Sequence, residues 1–542
     1  MVRAYRPRCR MPGCPQLVSP PMHESITSLA HVAVTPHDLA TQAALATMEG
    51  GGNAVDAAIA ANAVLAVVAP ETCGIGGDLF ALIHRPDSAK PECLNASGRA
   101  GSNATSASLR DDGHTEMPIL HRATITTPGC VDGWEALRAR FGTMAISELV
   151  SPALDLAENG FPVSAELART IAGRAEELSQ QPSAAPFYPD GRMAQQGETI
   201  KQPQLARTLR EISDGGRDAF YGGQFGSALI EASQDRITRD DLAVNQADWV
   251  EPLGLAVFGN TAWTVPPNSQ GYVTLATLAI FELLGPPSDP DDPDFQHLLI
   301  EAYKAAGFDL NDYATDPSTA PMAGFELLAN HRIEDRAELI DRGQAGVWPV
   351  QRKAPGGTAY LCTIDEAGMG VSFIQSNFHG IGSGYSAGDT GVWLHNRGGG
   401  FTLERGHPNE LSPGRRPLHT LAPTLWTDQD RLAMLLGTRG GHMQPQLVAQ
   451  VAAALHAGGD SLEEAQARPR WSLDQPDRPI GVEPGMPAAP GLEDLGHGVV
   501  EQPGLVSAWG PVSIIRIDES GVRTAAADPR VATATARSSP AA

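Results

Sequence analysis

The residues with most chemistry to offer are Gly356-Gly357-Thr358, two glycines leading into a hydroxyl-bearing residue. That threonine opens an alternating, β-branched-rich run, Thr358-Ala359-Tyr360-Leu361-Cys362-Thr363-Ile364. A turn at Asp365-Glu366-Ala367-Gly368 and a second run, Val371-Ser372-Phe373-Ile374-Gln375-Ser376, complete the pattern of a β-hairpin. If the Gly357–Thr358 bond were cut, Thr358 would carry a nucleophilic hydroxyl and a free α-amine on one residue, a nucleophile with its own base. That is acyl-transfer chemistry. On these residues alone, an ordinary loop running into an ordinary hairpin is the simpler reading.

The elements that must position the hairpin alternate along the chain. Residues 31–34 read as a first strand. Asn53 suits the N-cap of a helix over 54–68 that Pro70 stops, and residues 79–84 read as a buried strand. Between them lies Gly74-Ile75-Gly76-Gly77-Asp78. The order helix, glycines, strand is the reverse of what a dinucleotide loop needs, so these glycines predict a close-packed backbone turn. Helical text covers 129–164, 206–231, 295–304 and 448–455, and strands are expected within 249–265 and at 512–517. Residues 332–355 are polar, without strong periodicity, and read as an exposed connector. Glycine-rich stretches at 379–384, 397–400 and 437–441 put bare backbone where side chains would block a ligand, or mark tight turns. Mixed elements throughout predict a layered α/β or α+β protein. Ordered structure is expected from about residue 30, with a disordered leader at 1–29 and a disordered Ala/Ser/Thr-rich tail at 531–542.

Composition narrows the function. The chain has 542 residues, enough for a large core, and a formal net charge of −24, which disfavours nucleic acid and anionic membranes as partners. Its longest apolar run, residues 54–69, contains Asp56 and Asn62 and is too short and polar to span a bilayer. The six cysteines are scattered and form no disulfide or zinc framework, which predicts a reducing, cytoplasmic setting. The 15 histidines include no HExxH pattern and no Cys/His cluster, so neither a metal nor another cofactor is expected.

Several ordered blocks carry a resemblance. Gly51-Gly52-Asn53-Ala54-Val55-Asp56-Ala57-Ala58, Gly74-Ile75-Gly76-Gly77, Pro128-Gly129-Cys130-Val131-Asp132-Gly133-Trp134, Pro266-Pro267-Asn268-Ser269-Gln270-Gly271, Arg416-Pro417-Leu418-His419-Thr420-Leu421-Ala422-Pro423-Thr424 and Ala527-Asp528-Pro529-Arg530 follow one another at matching spacing. Together they resemble the γ-glutamyltranspeptidase family of autoprocessing N-terminal-nucleophile hydrolases, from about residue 30 to about 530. The resemblance implies an α+β, four-layer αββα sandwich, a cut between Gly357 and Thr358, a large subunit 30–357 behind the leader and a small subunit 358–542. It places the nucleophile at Thr358, the hydroxyl that hydrogen-bonds it at Ser376, and the oxyanion-hole glycines at Gly440 and Gly441.

The family's recognition positions are altered here. Its carboxylate-binding arginine aligns with Ser97, two residues before Arg99, and its amine-binding aspartate with Gly400. A family glutamine becomes Arg397, and two carboxylate-holding serines become His419 and Thr420. A cationic rim of Arg99, Arg397, His419 and Arg439 is expected to suit an acyl group with a carboxylate and no α-amine. The resemblance therefore implies a threonine amidohydrolase or acyltransferase akin to γ-glutamyltransferase and glutathione hydrolase, acting on a small-molecule γ-glutamyl-type amide. An amidase for a small carboxylate-bearing amide such as oxamate, a β-lactam side-chain acylase, and an uncleaved, non-catalytic binding relative are the alternatives.

Overall fold

A computed structural model describes residues 24–349, 357–474, 478–504 and 506–540. Gly356, singled out from sequence, the last residues of the expected connector (350–355) and most of the expected leader lie outside these residues. Two seven-stranded sheets, antiparallel throughout, organise the rest. The Thr358 sheet runs Thr535–Ser538, Val32–Thr35, Gly357–Ile364, Gly370–Phe378, Asp78–His84, Glu92–Ala96, Asp248–Val250. The companion sheet runs Ile26–Ser28, Arg523–Ala527, Val512–Ile517, Arg431–Thr438, Thr424–Asp428, Asn260–Thr264, Leu253–Val257.

Three apolar clusters follow from this arrangement. Val34, Phe80, Leu82, Tyr360 and Ile374 of the first sheet meet Leu425, Leu435 and Ile515 of the second. At Gly437 a Cβ would lie 2.2 Å from the Tyr360 ring, so a bare backbone is what lets the sheets approach there. Helix Ala54–Val68 belongs to a second cluster, with Leu361 and Phe373 of the Thr358 sheet. Helices Tyr272–Leu283, Pro293–Gly307 and Gln444–His456 share the third with Trp426 and Ile514 of the companion sheet.

Helix Ala54–Val68 is buried along its whole length and has the span read from sequence. Asn53 accepts from the N–H groups of Val55 and Asp56, while the Asp56 carboxylate accepts from the N–H of Asn53. The helix is tied to the hairpin at its start. The Ala54 N–H donates to Asp365 in the hairpin turn at 3.0 Å, and Thr363 donates to the Ala54 carbonyl at 2.8 Å. The carboxylate of Asp365 thus sits at a helix N-terminus, where the backbone dipole favours it.

The expected disorder needs correction in the tail and, for the leader, at residues 26–28, residues 1–23 lying outside the described residues. Residues 535–538 pair antiparallel with Val32–Thr35, and residues 26–28 pair with 523–525. An otherwise unpaired sheet edge needs hydrogen-bond partners, and segment composition does not reveal that need. The connector expected over 332–355 also departs from the reading, since its first part continues a helix, Asn330–Glu338.

Candidate active site

Thr358 lies at a β-bulge. Gly357 pairs with Phe378 and Ala359 with Gln375, so the register slips across Thr358 and its side chain is re-aimed. Phe378, at the end of the partner strand, has φ +73°, a conformation uncommon for a bulky residue. The buried Thr358 hydroxyl sits 2.8 Å from the carbonyl oxygen of Gly357, to which it donates, and 3.3 Å from Ser376 Oγ.

The direction of the Ser376 hydroxyl follows from its neighbours. The Phe378 N–H donates to Ser376 Oγ at 2.7 Å, and Arg397 Nη2 approaches it at 3.5 Å. Both can only donate, so the Ser376 proton points to the Gly357 carbonyl oxygen, 2.5 Å away. Gly440 and Gly441 follow Arg439, which lines a small cavity together with Thr358, Tyr360 and Pro511. Among the described residues neither glycine N–H meets an acceptor in the chain, which leaves two donors directly after Arg439 in the chain. Gln270 holds the surrounding backbone: its amide donates to the carbonyls of Thr420 and of Gly441, both at 2.9 Å.

Among the described residues, the expected cationic rim reduces to one charge without a contact ion pair, Arg397, which Asp78 balances only from a distance. Arg99 pairs with Asp248 at 2.6 Å, and Asp248 also takes Arg416. Arg439 pairs with Glu166 at 2.5 Å, and Glu166 further accepts from Ser507. His419 is fully buried and donates through Nε2 to Asp78 at 3.1 Å, its Nδ1 accepting from the Leu421 N–H. Burial, and then the Arg397 charge, push its imidazole down to about 3, so His419 is neutral. Burial alone would raise the Asp78 carboxyl; His395, the His419 hydrogen bond and the Arg397 charge prevail and hold it at about 2.

Arg397 is different. It is fully buried, donates to Thr420 Oγ1 at 2.9 Å and lies 4.0 Å over the Phe378 ring. Among the described residues no carboxylate is within ion-pair distance of it, and its Nε has no partner. Burial lowers the guanidinium to about 9, against the pull of Asp78, which leaves it charged at neutral pH. An interior cation held only by neutral acceptors and a ring face is a place where an anion would be favoured.

Asp78, Gln270 and Glu71 were not singled out from sequence. Their partners are distant in the chain, and no local spacing signals them. Nor were His297, Glu301 and His497, whose ligand-type atoms lie within 4.8 Å of one another. There the two rings hydrogen-bond each other at 2.8 Å, while Lys304 occupies a Glu301 oxygen at 2.7 Å. The other Glu301 oxygen accepts from Trp348 and Gly346, so the group anchors the segment that leads toward Gly357.

Glu71 gives a pH-dependent prediction. Its backbone carbonyl abuts Gly357, and one of its buried carboxyl oxygens has no partner among the described residues. Burial, then the Glu166 charge, raise the carboxyl to about 8 despite Arg439 and Arg169. The folded chain therefore keeps a proton that the unfolded chain has lost, and Glu71 costs stability progressively as pH rises from the ordinary carboxyl range to about 8. In a Thr358→Ala background, adding Glu71→Gln should shrink the drop in melting temperature between about pH 5 and about pH 8.5. An unchanged drop would contradict this assignment.

The gamma-glutamyltranspeptidase family model matches residues 40–538, and the chain belongs to that family. It is 34% identical over 521 residues to the glutathione hydrolase-like YwrD proenzyme of Bacillus subtilis (strain 168), across 94% of this chain and 98% of that protein. It is 36% identical over 528 residues to the oxamate amidohydrolase proenzyme of Klebsiella pneumoniae, again across 94% and 98%. The crystal structure of cephalosporin acylase from Bacillus halodurans superposes with a TM-score of 0.90 at 32% identity, covering 98% of this chain and all of that one. The chain is thus an enzyme of the γ-glutamyltranspeptidase type, and it shares a fold of mixed helices and sheets with those relatives.

Proposed function

We propose that this enzyme is a self-processing threonine amidohydrolase built as a four-layer αββα sandwich. The observation that carries the proposal is the Thr358 hydroxyl, held on a bulge 2.8 Å from the Gly357 carbonyl oxygen with Ser376 beside both. Helix-to-sheet and sheet-to-sheet apolar clusters support the layered architecture. The word proenzyme in the names of the Bacillus and Klebsiella relatives supports processing into a large subunit ending at Gly357 and a small one beginning at Thr358. In the mature enzyme the Thr358 hydroxyl attacks a substrate amide, with the freed α-amine as base. The N–H groups of Gly440 and Gly441 stabilise the oxyanion, the amine leaves, and water releases the acyl group. The four buried thiols Cys73, Cys93, Cys130 and Cys362 are unbridged, which supports a reducing, cytoplasmic setting.

The acyl donor we propose is a small amide bearing a carboxylate or carbonyl but no α-amine. Arg397, without a carboxylate partner, would attract the anion and repel an ammonium. The names of the oxamate amidohydrolase and cephalosporin acylase relatives are in line with donors other than γ-glutamyl. The γ-glutamyl reading, favoured by the family as a whole, is the second one. Turnover of γ-glutamyl anilide against glutaryl anilide, which lacks only the α-amine, separates them. A charge-assisted contact is worth about 1.5–3 kcal/mol, so kcat/KM should favour the glutaryl compound by about 10-fold or more. A preference for the aminated compound would reject this donor class.

A further inference from the structure

We infer that Arg397 is a positioning residue for self-cleavage, acting through Ser376 on the Gly357 carbonyl. The inference rests on the self-processing reading and deepens it. Three groups follow in sequence: Arg397 Nη2 is 3.5 Å from Ser376 Oγ, and Ser376 Oγ is 2.5 Å from the oxygen of Gly357, the residue joined to Thr358. The Phe378 N–H, at 2.7 Å, joins Arg397 in filling the acceptor side of Ser376. Ser376 therefore has one use for its proton, which is to donate it to the Gly357 carbonyl oxygen.

Negative charge develops on that oxygen during cleavage. Thr358 Oγ forms a bond to the Gly357 carbonyl carbon, and the carbonyl electron pair moves onto oxygen. The tetrahedral adduct then collapses, the C–N bond breaks, and the hydroxyl proton ends on the Thr358 nitrogen as an ester forms. A water molecule cleaves the ester, restoring the Thr358 hydroxyl and leaving Gly357 as a carboxylate. In the first of these steps the Ser376 donor stabilises the oxyanion, and a buried cation behind the donor polarises it further.

The position of Arg397 supports a role tied to charge. Its Nη1 is anchored on Thr420 at 2.9 Å and its Cζ lies 4.0 Å from the centre of the Phe378 ring, so the guanidinium is held in place by contacts that do not neutralise it. An arginine needed only for packing would be less costly with a carboxylate beside it. Phe378 meanwhile contributes both the ring under Arg397 and the N–H that orients Ser376. One residue with positive φ thus couples the cation to the hydroxyl.

The test is a pulse of cell-free synthesis followed by a chase, with the full-length chain and its two fragments resolved on denaturing gels. Arg397→Gln keeps a hydrogen-bond donor and removes the charge, and should slow cleavage by about 10- to 100-fold. Arg397→Lys keeps the charge and should be intermediate, and added methylguanidinium should speed the Gln variant without affecting wild type. Melting of each variant in the Thr358→Ala background shows whether the chain is folded. Wild-type cleavage with an equally fast Arg397→Gln overturns this inference and leaves self-processing standing. Equal slowing in the Gln and Lys variants with no response to methylguanidinium also overturns it, because structural damage alone would give that result. A wild-type chain that never cleaves overturns both readings.

Discussion

Thr358→Ala should leave a single full-length chain and lower amide hydrolysis by at least about 1,000-fold. The hydroxyl is needed twice in the proposed scheme, once against the Gly357 carbonyl and once against the substrate. Without the first reaction, the α-amine that serves as base is never freed. The substitution removes few atoms from a buried position on a paired strand, and the hairpin keeps its contacts to Val32–Thr35 and Asp78–His84, so the fold should persist. Thr358→Ser retains the nucleophile and should still yield two fragments, bounded by residues 357 and 358. Denaturing electrophoresis and turnover of the preferred anilide read both outcomes. Two fragments from the alanine variant, or an intact wild-type chain, would remove Thr358 from the nucleophile's role.

How much of this could be read from sequence depends on the range over which each feature is decided. The helix over 54–68 was legible because its signals are local: Asn53 caps it, Asp56 returns the bond, and Pro70 lies just past its end. The hairpin was legible for the same reason, from alternation on either side of a Gly-containing turn. The bulge at Thr358 was not, because it is a register slip between two strands, with Gly357 against Phe378 and Ala359 against Gln375, and neither strand's own text encodes it. Charge was legible only as a count. Four cationic side chains were expected to line one rim, yet Asp248 and Glu166 take Arg99 and Arg439, and burial, then the Arg397 charge, leave His419 neutral despite Asp78. Asp78 and His419 are 341 residues apart, and no spacing rule links them. The same limit applies to the chain end: Ala/Ser/Thr-rich text gave no sign of the edge strand that Thr535–Ser538 supplies to Val32–Thr35.

Putting a carboxylate back for a substrate ammonium should succeed at Gly399 and fail at Gly400. Gly400 is the position that the sequence resemblance sets against the family's aspartate, but a Cβ there would lie 2.4 Å from the Leu418 carbonyl oxygen. That oxygen belongs to the backbone just before His419 and Thr420, the partners of Asp78 and Arg397, so the segment cannot yield without disturbing both contacts. Gly400→Asp should therefore destabilise the chain by about 1–3 kcal/mol, as overpacking does, and lower turnover of every anilide alike. Gly399 is open by comparison: its nearest neighbours would be the Pro118 carbonyl oxygen at 3.6 Å and Phe378 Cε1 at 3.9 Å. An aspartate at that position would sit at the edge of the ring that carries Arg397, offset the guanidinium charge and offer an ammonium a partner. Gly399→Asp should accordingly shift the γ-glutamyl to glutaryl ratio of kcat/KM by about 10-fold or more toward γ-glutamyl, with little loss of melting temperature. Equal ratios in wild type and Gly399→Asp would mean that Arg397 does not read the charge of the acyl donor. A stable, active Gly400→Asp variant would mean that packing against Leu418 does not exclude an aspartate at that position.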